Sequence, residues 1–127
     1  MDVQKRFGRV LLELGGNNAI IVTPDANLEM VSQSVVFACC GTAGQRCTTT
    51  RRLILHKSIY NTVLVNLVKA YSNVLKRLGD PLDITTLYGP MHSLTAVKNF
   101  KQTISEAIEA GGQVEFGGKV IFHFIIN

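Results

Sequence analysis

Charge is scarce in this chain. Only 17% of its 127 residues are charged, against 46% hydrophobic, where an ordinary soluble domain carries roughly 25% charge. Such a sequence has apolar surface to hide, which suits a piece of something larger. Long apolar runs are also lacking. None approaches the ~18 residues of a membrane-spanning helix, and no secretory signal opens the sequence, so no membrane role is expected. The three cysteines are an odd number without metal-type spacing. Neither a disulfide framework nor a metal site is expected, and a reducing compartment fits. The net charge is +4, yet the basic residues fall in small groups: Lys5, Arg6 and Arg9; Arg46, Arg51 and Arg52; Lys76 and Arg77. No continuous basic block, recognition motif or interleaved aromatic stripe accompanies them, so nucleic acid is not an expected partner. Repeats and low-complexity segments are missing, and so is a glycine-rich strand–turn–helix fingerprint for a dinucleotide. At this length there is room for one domain at most, burying about two thirds of its unfolded surface if it folds alone.

What is present alternates between strand and helix signals, which predicts an α/β fold with a mainly parallel sheet and flanking helices. Residues 10–14 read as a buried strand, Gly15-Gly16-Asn17-Asn18 as a turn and 19–22 as a second short strand. Thr23-Pro24-Asp25 stops it. Asp25 or Asn27 can then cap a helix running to about Cys40, with Leu28, Val31, Val35 and Cys39 on one face and Gly41 beyond its end. A strand is expected over 50–56. Ser58 is the expected cap of the clearest helix, where Tyr60, Val63, Leu64, Leu67, Val68, Tyr71, Val74 and Leu75 follow helical spacing. Gly79-Asp80-Pro81 breaks it, and 82–91 is an irregular connection. Ser93 can cap a last helix to about Ala110, with Val97, Phe100, Ile104 and Ile108 along its apolar side. His56, His92 and His123 are scattered and read as packing or surface residues.

Two stretches carry candidate chemistry. Gly44-Gln45-Arg46-Cys47 sets a thiol after a glycine-rich turn, with a basic residue before it and a β-branched run after it. A neighbouring cation or helix terminus can lower a thiol pKa, and the thiolate is the nucleophile. The alternative is a buried structural cysteine. Upstream, Val10-Leu11-Leu12-Glu13-Leu14-Gly15-Gly16 puts one carboxylate inside an apolar run. Burial raises a carboxyl pKa toward neutrality, where it can act as a base for water. The alternative is a strand-edge glutamate facing solvent. Cys39 and Cys40 read as inert core or helix-end residues.

Together these stretches resemble the active-site signatures of the NAD-dependent aldehyde dehydrogenase superfamily. Glu13-Leu14-Gly15-Gly16 is similar to its glutamate motif and Gly44-Gln45-Arg46-Cys47 to its cysteine motif, in the family's order. Asn17-Asn18-Ala19-Ile20-Ile21, Gly41-Thr42-Ala43, Thr48-Thr49 and Tyr88-Gly89-Pro90-Met91-His92 resemble the antiquitin branch, the α-aminoadipic semialdehyde dehydrogenases. The resemblance implies that residues 1–120 are part of a catalytic domain. It implies Cys47 as nucleophile, Glu13 as base for the water that releases the acid, and Leu14, Gly15 and Gly16 beside the nicotinamide of NAD. Hydride would pass from the Cys47 adduct to NAD, leaving a thioester. A small aldehyde is the implied substrate, and full-length subunits would form a homo-oligomer in the cytoplasm or the mitochondrion. Residues 121–127 depart from the family as a divergent apolar tail, which reads like translation past a splice junction. Since a dinucleotide platform is missing, the isolated chain is expected to be inactive; the alternative is a non-catalytic fragment that associates with full-length subunits.

Overall fold

The computed structural model describes residues 2–121, so the apolar tail from Phe122 onward lies outside the described residues. The centre is one β–α–β unit. Strand β1 (Asn18–Val22) runs parallel to β2 (Thr50–Leu55). Parallel strands need a crossover rather than a hairpin, and helix α2 (Leu28–Cys40) supplies it. Helix α1 (Asp2–Lys5) precedes the unit; α3 (Tyr60–Leu75) and α4 (Leu94–Glu109) follow it. The expected α/β architecture with a parallel sheet is therefore found. Its register pairs Ile20 with Leu53 and Val22 with Leu55, with an irregularity between Asn18 and Ala19.

Local chemistry sets the helix boundaries. Asn27, rather than Asp25, caps α2: its side-chain oxygen accepts from the N–H groups of Glu29 and Met30, both at 3.1 Å, occupying two of the helix's orphan donors. Ser93 Oγ accepts from the Ala96 N–H at 3.2 Å and caps α4 as expected. Ser58 does not cap α3. Ile59 stands at that position without a side-chain bond, while Ser58 Oγ lies 2.8 Å from His56 Nδ1. Ile59 is buried, so packing fixes the start of α3 and the imidazole engages the hydroxyl.

The core forms where α2 and α3 cover one face of the sheet. Val22, Val35, Ile59, Val63 and Leu67 are buried together, with Ile20, Leu53, Leu55, Val31 and Cys39 packed around them. Alternation along β1 turns Ile21 to the other face, and there it is 71% exposed. Parallel sheets ordinarily have both faces covered; here one face is open. Helix α4 buries none of its residues, but Ile104 and Ile108 line a cavity of about 360 Å³ with Leu64, Leu67 and Tyr71 of α3.

One expectation fails. Residues 8–17 contain no regular structure, and Val10, Leu11, Leu12 and Leu14 are exposed. A strand is stable only in a ladder, and among the described residues β1 and β2 pair only with each other. The apolar run at 10–14 therefore has neither a partner strand nor a covering layer. Glu13 is exposed with it, so this chain does not supply the burial expected around that carboxylate. Among the described residues no helix is long and apolar enough to cross a membrane.

Candidate active site

Cys47 lies between the end of α2 and the start of β2, on a turn whose backbone is fixed from several directions. Thr42 and Ala43 have φ of 53° and 54°, and Gly44 has φ of 72°. Glycine adopts this left-handed conformation freely, whereas Thr42 and Ala43 each pay about 1–2 kcal/mol for it. Such a conformation persists when its surroundings over-determine it, and the bonds around it do so. Thr42 O accepts from the Gln45 N–H at 3.1 Å and from Gln45 Nε2 at 3.0 Å. Thr49 Oγ1 accepts from the Arg46 N–H, and the Thr49 N–H donates back to Arg46 O, both at 3.1 Å.

Asn18, the first residue of β1, ties this turn to the sheet. Its Nδ2 donates to Cys47 O at 2.7 Å and to Thr49 O at 3.1 Å. Gln45 ties it to the segment before α4: its Oε1 accepts from the His92 N–H at 2.9 Å and lies 2.8 Å from His92 Nδ1. Neither link was expected from the sequence. Asn18 has no role of its own legible in the sequence, and His92 reads as a packing or surface residue. An asparagine opening a strand directly after Gly-Gly could have suggested a loop-bracing amide; nothing local signals the contact between Gln45 and His92.

Arg46, the cation preceding the thiol, turns away to the end of α2. Its guanidinium donates to Phe37 O at 3.3 Å and to Thr42 Oγ1 at 3.2 Å, and lies 4.8 Å from the centre of the Phe37 ring. A cation is favourable beside the open carbonyls of a helix C-terminus. A Cβ at Gly41 would displace the Arg46 guanidinium from this place, whereas the φ of −53° there is open to any residue. A cavity of about 650 Å³ opens beside Arg46, with Phe37, Cys40, Ala70 and Leu87 in its wall; Cys47 does not line it.

The three thiols differ. Cys39 and Cys40 are partly buried and Cys47 is exposed. Burial pushes the Cys39 thiol up, and burial with the neighbouring Cys39 pushes Cys40 up to about 11. Both therefore stay protonated near neutral pH and have little nucleophilic thiolate.

Glu13, Leu14, Gly15 and Gly16 all lie in the exposed 8–17 segment. The described residues show no hydrogen bond or ion pair between Glu13 and the Cys47 turn. The two stretches are joined instead by side chains that reach main-chain carbonyls, Asn18 to the Cys47 turn and Arg52 to Asn17. Arg52 donates to Asn17 O at 2.5 Å, and a Cβ on Gly16 would come within 2.9 Å of Asn18 Oδ1. Gly16 thus leaves room for the amide that braces the turn. For a dinucleotide the fit is poor. A Cβ on Gly15 would meet open space, Leu14 is exposed, and the β1–α2 connection, Thr23-Pro24-Asp25-Ala26-Asn27, has no glycine with which to approach a pyrophosphate. Among the described residues no group of three or more His, Cys, Asp or Glu side chains could hold a metal ion.

Residues 1–124 match the model of the aldehyde dehydrogenase family. The alpha-aminoadipic semialdehyde dehydrogenase of Mus musculus is 56% identical over 121 residues, which make up 95% of this chain and 22% of that protein. Aldehyde dehydrogenase family 7 member A1 of Pisum sativum is 51% identical over 119 residues, 94% of this chain and 23% of that protein. Among solved structures, succinate-semialdehyde dehydrogenase from Burkholderia pseudomallei matches with a TM-score of 0.87 at 28% identity, over 94% of this chain and 24% of that one. PnpE in complex with nicotinamide adenine dinucleotide matches with a TM-score of 0.88 at 37% identity, over 96% of this chain and 25% of that one. The chain thus spans less than a quarter of the length of these curated relatives. With both motifs in order and their turns joined through Asn18, the chain belongs to the aldehyde dehydrogenase family.

Proposed function

We propose that this chain supplies the nucleophile and the base of an NAD-dependent aldehyde dehydrogenase acting on α-aminoadipic semialdehyde. The Cys47 turn carries the reading: an exposed thiol on a strained backbone held by Asn18, Gln45, Arg46 and Thr49. The identity to the Mus musculus enzyme supports the substrate class.

The Cys47 thiolate adds to the aldehyde carbon, and the carbonyl π electrons move onto oxygen. That oxyanion needs preorganised donors. Among the described residues the Cys47 N–H donates to nothing, which leaves it available for this role. NAD, when bound, would accept the hydride that leaves this carbon as the oxyanion collapses and the C=O of a thioester re-forms; Leu14, Gly15 and Gly16 would lie beside it. On the Cys47 thioester, Glu13 takes a proton from water, the water oxygen bonds to the acyl carbon, and the Cys47 thiolate leaves. The 127-residue chain by itself is expected to turn over no aldehyde, because among the described residues there is no cradle for the pyrophosphate.

The test is a chimaera in which residues 1–120 replace the matching part of the Mus musculus relative. NADH formation with α-aminoadipic semialdehyde is expected, lost in Cys47→Ala and stalled after one turnover in Glu13→Gln. Turnover that survives Cys47→Ala sinks the reading. A second reading, association with full-length subunits without catalysis, is favoured by the exposed Val10, Leu11, Leu12 and Leu14. Co-purification with the full-length relative, against a 10–14 polar-substituted control, separates the two.

A further inference from the structure

We infer that His92 is a positioning residue for the Cys47 turn, acting through Gln45. The inference rests on the reading of Cys47 as nucleophile, and it names what holds that nucleophile's backbone from the α4 side. Gln45 follows the left-handed run of Thr42, Ala43 and Gly44, and its amide is satisfied at both ends. Nε2 donates to Thr42 O at 3.0 Å. Oε1 faces the His92 N–H at 2.9 Å and His92 Nδ1 at 2.8 Å. Exchanging the amide's oxygen and nitrogen would set oxygen against the Thr42 carbonyl and NH2 against the His92 N–H, so the orientation is determined twice over. Since Oε1 only accepts, Nδ1 must carry the hydrogen. His92 is itself fixed, because the next residue is Ser93, whose hydroxyl caps α4. A contact spanning 47 residues thereby joins the start of α4 to the strained turn that presents the thiol.

Two measurements on the 127-residue chain test this without any need for turnover. The first is a long-range nitrogen–proton spectrum of the unmodified chain at about pH 8. It should show His92 with hydrogen on Nδ1; hydrogen on Nε2 would overturn the inference. The second is amide hydrogen exchange of Gln45 and Arg46, whose N–H groups bond to Thr42 O and Thr49 Oγ1. In His92→Ala their exchange should speed up by about 2- to 12-fold, the range set by one net hydrogen bond, while the α4 amides stay unchanged. His92→Asn, whose side-chain amide can donate from the Nδ1 position, should restore the slow rate. Unchanged exchange in His92→Ala, equal acceleration along α4, or no recovery in His92→Asn would each refute the positioning role. Cys47→Ala should leave both readouts as they are, so failure of this link and failure of the catalytic reading are distinguishable.

Discussion

Replacing Asn18 by alanine should loosen the Cys47 turn while leaving the core intact. The side chain donates at 2.7 Å to Cys47 O and at 3.1 Å to Thr49 O. A net intramolecular hydrogen bond contributes about 0.5–1.5 kcal/mol. The bond to Cys47 is exposed and competes with water, so it belongs at the low end; the bond to Thr49 is partly buried and belongs nearer the middle. Together they give about 1–2 kcal/mol. Asn18 has partly buried side-chain surface at the strand's start but is not among the core residues, so cavity formation adds little. For a chain of this size the loss corresponds to a fall in Tm of roughly 3–8 °C. Thermal unfolding followed by circular dichroism measures it. Asn18→Asp sharpens the test, since it keeps the shape but aims a carboxylate at two carbonyl oxygens. It should be less stable than Asn18→Ala at neutral pH. A Tm within about 1 °C of the parent for both variants would refute the claim that this amide braces the turn.

Other consequences can be measured on the same chain. Gly16→Ala places a methyl within 2.9 Å of Asn18 Oδ1, so it should reproduce much of the Asn18→Ala loss; additive losses in the double variant would sink that mechanism. Val63 is fully buried in α3, and Val63→Ala should cost about 2 kcal/mol in urea unfolding by removing two methyls from the core; an unchanged midpoint would contradict the placement of α3. Alkaline pH should destabilise the fold. Folded Cys40 keeps its proton up to about 11, against 9.0 for the ordinary thiol, so above about pH 9 the unfolded chain binds fewer protons and stability falls as pH rises. The urea midpoint should drop between about pH 9 and 11, and Cys40→Ser should flatten that drop; an identical pH slope in the variant would remove Cys40 as its cause.

The parts of the fold that were legible in the sequence are those with local causes. The apolar stripe of α3, the Ser93 cap of α4, a cap of α2 at Asp25 or Asn27 (Asn27 is the one used) and the end of α2 at Cys40, before Gly41, each act within a turn or two of where they are written. The strand expected over 10–14 is absent, because an apolar run becomes a strand only when another strand pairs with it, and the described residues offer none. Ser58 misled for a related reason: its capping hydroxyl was engaged by His56, while burial of Ile59 decided where α3 begins. For the site, residue types around Cys47 left a nucleophile and a buried structural cysteine both open; the thiol is exposed, and Arg46 faces the end of α2 rather than the thiol. The braces from Asn18 and His92 cross 29 and 47 residues, and no spacing rule connects positions so far apart.

Among the described residues, the hydrogen bonds that shape the Cys47 turn are made by main chain or by the side chains of Asn18, Thr42, Gln45, Arg46, Thr49 and His92; the sulfur takes part in none of them. The thiol is a passenger on a frame built by its neighbours. Substitution at position 47 can therefore abolish reactivity without a folding penalty, whereas changes at the neighbours disturb folding and reactivity together. A lineage could retain the shape of this turn long after its chemistry had been lost, and an intact fold at this locus would then be a record of ancestry rather than of present activity.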